Sequence, residues 1–260
     1  MNLNFCFIGA GNLATHLAKR LLNSGFSIIQ VFSQTEKSAK MLAEKLDCNF
    51  TTTLENITSD ADIYIVTIRD SSFDEVLSKI NFHNKLVVHT SGSQPLSVLE
   101  NFSFNYGVLY PLQTFSKNRE PDFLKIPFFI EASAIQNEEI LLYIARKISS
   151  SVSVLSSEKR KYLHIAAVFA CNFVNHFYTI AAELMKMNDM SFDVLKPLIL
   201  ETALKAQELE PENAQTGPAV RFDKNVISKH IEELKDYNNY AELYDIISES
   251  IFKHHNKTQK

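Results

Sequence analysis

The feature that most constrains this chain lies close to its start. An apolar run, Leu3 to Ile8, leads straight into Gly9-Ala10-Gly11-Asn12-Leu13-Ala14. An amphipathic segment follows, with apolar residues at positions 13, 17, 18, 21 and 22. Read as strand, turn and helix, each small residue has a separate task. Gly9 permits the tight turn, Gly11 lets backbone approach a ligand, and Ala14 keeps helix and strand close. The helix start presents unpaired N–H groups and the positive end of the helix dipole, which suits a phosphate. The glycine pattern alone is common by chance. A strand before it, a helix after it and a second β-rich run about 20 residues on make it specific. The turn is therefore expected to hold a dinucleotide pyrophosphate through Gly9, Gly11, Asn12 and Leu13, the alternative being a glycine turn that serves packing alone.

The rest of the first half repeats the same alternation, which predicts an α/β, Rossmann-type, mostly parallel sheet. Strands are expected at Ile28–Phe32, Ile63–Ile68, Leu86–His89, Tyr106–Leu109 and Phe128–Glu131, with an edge strand at Val152–Leu155. Helices are expected at Lys37–Leu46, Phe73–Ile80 and Gln136–Ser150. Serine-rich punctuation near Ser149–Ser151 and Ser156–Ser157 marks a boundary, giving a dinucleotide-binding domain over 1–155 and a helical domain over 156–260. In the latter, Lys159–Met187 reads as one long apolar helix capped by Ser157, followed by helices at Phe192–Gln207, Asn225–Leu234 and Tyr240–Phe252.

The tip of the second strand indicates which dinucleotide. A site for NAD usually places a carboxylate there, on the ribose 2′-hydroxyl. Here Val31-Phe32 is followed by Ser33, Gln34 and Thr35, with Lys37 nearby. These groups suit a 2′-phosphate, so NADP is expected, with NAD and coenzyme F420 as alternatives. Ligands of such sheets lie beyond the carboxyl ends of the strands. That brings Ile68 and Ser91 to the cofactor and Gln113 to a substrate. It also makes His89 a candidate proton carrier, because histidine titrates near neutral pH.

The long helix carries His164, Asn172 and Asn175 within roughly 80° of one another at 100° per residue. His164 is a candidate proton donor and Asn172 a group to orient a carbonyl, with plain interhelical hydrogen bonding as the alternative. Further on, Thr216-Gly217-Pro218-Ala219-Val220-Arg221 interrupts the helical pattern, and Thr216 and Arg221 are candidate substrate contacts. Arg221 and Asp223 are close enough in sequence to pair with each other instead.

A net charge of −4 leaves no footprint for nucleic acid. No apolar run reaches the roughly 20 residues that span a bilayer, and the N-terminus lacks a cleavage pattern, so a cytoplasmic protein without membrane contact is expected. Cys6, Cys48 and Cys171 are too widely spaced for a metal site or a disulfide framework and read as buried small hydrophobes. No metal is expected.

Gly9-Ala10-Gly11-Asn12, His89-Thr90-Ser91-Gly92, Tyr110-Pro111-Leu112-Gln113-Thr114-Phe115 and Thr216-Gly217-Pro218-Ala219-Val220-Arg221 occur in one order. In that order the chain resembles a bacterial Rossmann-like family with a DUF2520-type C-terminal domain. The family is related to pyrroline-5-carboxylate reductase and 6-phosphogluconate dehydrogenase. The resemblance implies an NADP oxidoreductase whose helical domain is like that of 6-phosphogluconate dehydrogenase and forms a homodimer. Related sequences often carry His at the position of Tyr110 and Gly at that of Phe222. The expected reaction is hydride transfer to or from a small carbonyl or imine between the domains. The alternatives are a pyrroline-5-carboxylate reductase and a non-catalytic NADP-binding sensor or scaffold.

Overall fold

The computed structural model describes residues 2–237 and 239–256. Met1, at the head of the first apolar stretch, and Lys257, in the polar tail, lie outside the described residues. The chain forms two compact units, Met1–Asn172 and Phe173–Lys260. The division thus falls after residue 172 rather than after 155. The reason is the helix over Ser157–Ala167, whose buried arginine ties it to the sheet.

The described residues of the first unit form an eight-stranded sheet: β1 (Asn4–Ile8), β2 (Ser27–Phe32), β3 (Asn49–Thr51), β4 (Ile63–Val66), β5 (Leu86–His89), β6 (Tyr106–Pro111), β7 (Phe128–Ala132) and β8 (Val152–Val154). Their order is β3-β2-β1-β4-β5-β6-β7-β8, parallel except where β6 meets β7. The helices of this unit are α1 (Asn12–Asn23), α2 (Glu36–Leu46), α3 (Phe73–Leu77), α4 (Ile135–Ile148) and α5 (Ser157–Ala167). This is the Rossmann-type sheet expected, with β3 as a short addition.

Alternation along the central strands builds a core on each face. On β1, Phe5 and Phe7 join one cluster with Ala14, Leu17, Ala18 and Leu21 of α1, while Cys6 and Ile8 join the other with Phe73, Val76 and Leu77 of α3. From β1 the chain moves outward to β2 and β3, then returns to β4 on the other side. The reversal opens a crevice at the carboxyl ends of β1 and β4.

The second unit is helical among its described residues: α6 (Val174–Met187), α7 (Lys196–Glu208), the single turns α8 (Pro211–Ala214) and α9 (Pro218–Arg221), α10 (Lys224–Leu234) and α11 (Tyr240–Asn256). Pro197 sits in the first turn of α7, where its missing N–H costs nothing. The expected long helix is continuous over Ser157–Met187, with a mean hydropathy of 1.4 over its most apolar window. By length and composition this one stretch could cross a bilayer, contrary to the expectation from sequence. It is not regular, because Val168–Phe173 forms π-helical turns between α5 and α6. Wider turns change the 100° spacing on which the His164, Asn172 and Asn175 stripe was expected. Cys171 is exposed rather than buried, while Cys6 is buried.

Candidate functional site

The glycine turn is built as its residues require. Gly9 has φ +120°, and an added Cβ would lie 2.7 Å from Thr67 Oγ1 and 2.9 Å from the Thr67 carbonyl. Only glycine meets both conditions. At Gly11 a Cβ would meet nothing within 4 Å, so its site faces open space. Gly11 also precedes α1, whose start has no side-chain cap and no acid in its first turn. Unpaired N–H groups facing an open cradle fit a bound phosphate.

A cleft of about 480 Å³ opens on this turn. Gly9, Gly11 and Asn12 form its floor, Ser33, Gln34, Thr35 and Ser38 its far end, and Ile68 part of its wall. Arg69 and Lys117 also line it, and no acidic side chain does among its described lining. The cleft thus offers cations and hydroxyls to an anionic ligand. Sequence reasoning missed both basic residues because each comes from a strand other than β2. Lys117 reaches the cleft because the segment after β6 is tied to α1: Asn12 Nδ2 donates to the Phe115 carbonyl (2.9 Å) and His16 Nε2 meets the Ser116 carbonyl (2.9 Å). Asn12 is therefore a wall whose amide is already engaged. The side chain of Leu13 packs against the core, so the cofactor role expected of it falls to its backbone at the helix start. Lys37 is exposed and outside the cleft lining.

Beyond β5 the loop is stitched by Asp70. Its Oδ2 accepts from Ser91 Oγ (2.9 Å) and Ser93 Oγ (2.5 Å), and Ser91 Oγ accepts the N–H groups of Ser93 and Gln94. The Ser91 hydroxyl is thereby committed to shaping the loop, which corrects its reading as a cofactor ligand. His89 needs a similar correction. It is fully buried, and its Nδ1 accepts the Ser91 N–H (3.1 Å). Burial pushes its pKa down to about 4, with the Arg160 charge adding to the effect and the Pro95 carbonyl, Asp70 and Glu131 opposing it. An enclosed ring bonded to the loop backbone suits a place in the scaffold better than the proton-carrying role expected of His89.

A second cleft of about 600 Å³ lies against β6 and α5. Tyr110, Gln113 and Thr114 line one side, and His164, Cys171 and Asn172 the other, with Ala166, Ala167 and Ala170 leaving room between. The segment after β6 thus serves both clefts, through Gln113 and Thr114 here and Lys117 at the first. Tyr110 Oη and His164 Nδ1 are 3.1 Å apart. Gly92 packs on both: a Cβ there would lie 2.6 Å from His164 Nδ1 and 2.9 Å from Tyr110 Cε2.

Arg160, one helical turn before His164, fixes the start of α5. Its side chain is 1% exposed. It donates to Glu131 (2.5 Å), to the Gln94 carbonyl (2.6 Å) and to Ser157 Oγ (3.1 Å). Ser157, the expected cap, instead donates to Glu131 (2.6 Å), and Ser156 caps the helix. Desolvation acts to raise the Glu131 pKa, but the hydrogen bonds from Ser157 and Arg160 together hold it below the usual carboxylate range.

The remaining predicted residues lie in the second unit. Thr216 borders an apolar cavity of about 320 Å³ whose walls include Phe177, Leu184, Leu243 and Ile247. Arg221 ends α9 and is exposed. It does not pair with Asp223, which caps α10 by accepting the Val226 N–H (3.3 Å).

A crystal structure titled putative NADP oxidoreductase, from Bacteroides fragilis, is 50% identical and superposes with a TM-score of 0.93 over 97% of this chain and 98% of that one. The family model described as domain of unknown function (DUF2520) matches residues 126–251. The chain belongs to the DUF2520 family. The N-terminal part of this DUF2520 protein, residues 4–92, matches the model described as NADP oxidoreductase coenzyme F420-dependent. A Thermotoga maritima protein with 23% identity and a TM-score of 0.79, covering 97% and 99% of the two chains, shares the fold. A Caenorhabditis elegans protein named putative pyrroline-5-carboxylate reductase 4 is 35% identical over 102 residues, 36% of this chain. The chain spans 34% of the length of that curated relative.

Proposed function

We propose that this DUF2520 protein is an NADP(H)-dependent oxidoreductase that moves a hydride to or from a small carbonyl or imine. The observation that carries the reading is the first cleft. There the open Gly11 cradle and uncapped α1 meet Arg69, Lys117 and the Ser33-Gln34-Thr35 tip in a space that no acidic side chain lines among its described residues. Gly9, Gly11 and the start of α1 would hold the pyrophosphate, and Ser33, Gln34 and Thr35 a 2′-phosphate. The Bacteroides fragilis structure titled putative NADP oxidoreductase supports the same assignment. When bound, the nicotinamide supplies or accepts the hydride.

This chain's own residues do the rest. His164 and Asn172 present polar atoms from one side of the second cleft and Gln113 and Thr114 from the other. A carbonyl oxygen or imine nitrogen bonded to His164 is held and polarised, and the alanines of α5 accept the substrate's apolar body. The curated relative's name makes pyrroline-5-carboxylate the first imine to try.

A second copy of the chain is the partner we propose for the helical unit. Among its described residues only Ala219, Ile227, Tyr240 and Ser248 are buried, while Val194, Leu198, Leu200 and Ile246 are each more than half exposed. So little core does not hold an independent unit together. Light scattering on the purified protein should give twice the chain mass.

The enzymatic reading is tested by following NADPH oxidation against cyclic imines, pyrroline-5-carboxylate, and small aldehydes and ketones. Turnover of one class, lost in Asn172→Ala or His164→Gln with NADPH affinity retained, supports it. NADPH binding without turnover across the panel would favour a sensor.

A further inference from the structure

We propose that Tyr110 is a positioning residue that holds His164 with its hydrogen on Nε2, making that atom the donor offered to the substrate. The proposal rests on reading the second cleft as the substrate site. The hydrogen bond it specifies can be tested without any substrate.

The direction of the bond follows from the surroundings of the hydroxyl. Tyr110 is 6% exposed, on β6 at the root of the cleft. Burial raises its pKa, and the Arg160 charge offsets only part of this, so the phenol keeps its hydrogen at ordinary pH. A buried O–H needs an acceptor. Among the described residues the only partner of this oxygen is His164 Nδ1 at 3.1 Å. If the bond ran the other way, with Nδ1 as donor, the phenol hydrogen would have no acceptor among the described residues. The hydroxyl therefore donates, Nδ1 accepts, and the neutral ring carries its hydrogen on Nε2.

The surrounding elements leave the pair little freedom. Gly92, between Ser91 and Ser93 of the Asp70-bound loop, packs so closely that a methyl there would overlap both rings. Arg160 pins α5 one turn earlier through Glu131 and the Gln94 carbonyl. The charged or titratable groups near the pair include Arg160 on α5, Glu131 on β7, the enclosed His89 on β5, Asp70 under the Ser91–Ser93 loop and Cys171 in the same cleft. None of these is assigned a hydrogen bond to the His164 ring.

The same arrangement explains what a tyrosine does that a carboxylate would not. A carboxylate against Nδ1 would draw a hydrogen onto that nitrogen and favour the charged ring. A protonated phenol presents a hydrogen, which makes Nδ1 the acceptor and leaves the ring hydrogen on Nε2. That ring is suited to bind and polarise an oxygen or nitrogen acceptor.

The test is nitrogen-15 NMR of the histidine rings in the full chain, with His164 identified by its loss in His164→Gln. In the wild type the His164 Nε2 should be protonated and Nδ1 should show the shift of a hydrogen-bond acceptor. Tyr110→Phe should move the Nδ1 resonance by several ppm towards that of a free ring. Gly92→Ala, which drives the ring off the hydroxyl, should do the same and serves if Tyr110→Phe does not fold. A hydrogen on Nδ1 in the wild type, or an unchanged Nδ1 in either variant, would overturn the proposal. Failure of the enzymatic reading would appear separately, as absent NADPH binding with the NMR pattern intact. Where a substrate is found, Tyr110→Phe should lower kcat by about tenfold, the loss of one oriented hydrogen bond, and leave the KM for NADPH unchanged.

Discussion

The guanidinium of Arg160, 1% exposed, lies 2.5 Å from the carboxylate of Glu131, one helical turn before His164. Helix α5 is thereby joined to the sheet through a charged anchor. The two partners are not equivalent, because Glu131 retains some contact with solvent. Glu131→Leu leaves a fully buried cation with no counter-charge and should cost about 3–5 kcal/mol in urea unfolding. Arg160→Met leaves a carboxylate that water can reach and should cost clearly less. Equal losses would show that the anchor acts by packing alone.

The two glycines of the turn should separate stability from binding. Gly9→Ala meets both a φ of +120° and the Thr67 backbone, and should lower stability by about 2 kcal/mol or more. Gly11→Val meets nothing and should leave the thermal midpoint within a few degrees of wild type, while filling the space a pyrophosphate needs. Thermal unfolding beside a dinucleotide titration distinguishes them.

The enclosed His89 makes the fold sensitive to mild acid. Its folded-state pKa, about 4, lies below the value of about 6.5 in the unfolded chain. Between these values the unfolded chain takes up a proton that the folded chain refuses. Stability should therefore fall as pH drops through this window, by up to about 3 kcal/mol, while above pH about 6.5 this group contributes nothing. In His89→Asn, where an amide oxygen can still accept the Ser91 N–H, that part of the pH dependence should disappear. Urea midpoints measured from pH 7 to 4 in both proteins check this.

Cofactor choice should reside at the tip of β2. Ser33→Asp places a carboxylate where a 2′-phosphate is expected, and should weaken NADPH binding by at least tenfold with little effect on NADH. Lys117→Ala and Arg69→Ala should weaken both dinucleotides and flatten the salt dependence of binding. An unchanged NADPH/NADH ratio in Ser33→Asp would move the 2′-phosphate elsewhere.

Local patterns in the chain made the sheet legible. The glycine turn, the β-branched run within Ile63–Ile68 and the breaks between runs located every strand of the sheet but β3, which is three residues long with two of them polar. The cofactor cleft was legible in the same way for Gly9, Gly11 and the Ser33–Thr35 tip. Arg69 and Lys117 were not, because their place depends on pairing across strands and on the Asn12 bond to Phe115. His89 and Ser91 stood at the right end of a strand, but a sequence does not show which side chains the loop uses to satisfy itself. The π-helical turns at Val168–Phe173 and the burial of Arg160 are likewise tertiary outcomes, and they moved the boundary between the units. The Tyr110–His164 contact spans 54 positions and has no local signal.

The central claim is that the Gly9–Ala14 turn holds NADP(H). Calorimetric titration of the wild type and Gly11→Val with NADPH, NADH and reduced coenzyme F420 tests it most directly. NADPH should bind at least tenfold more tightly than NADH, and this binding should be lost in a folded Gly11→Val. Absence of binding by all three ligands, or binding that survives Gly11→Val unchanged, would contradict it.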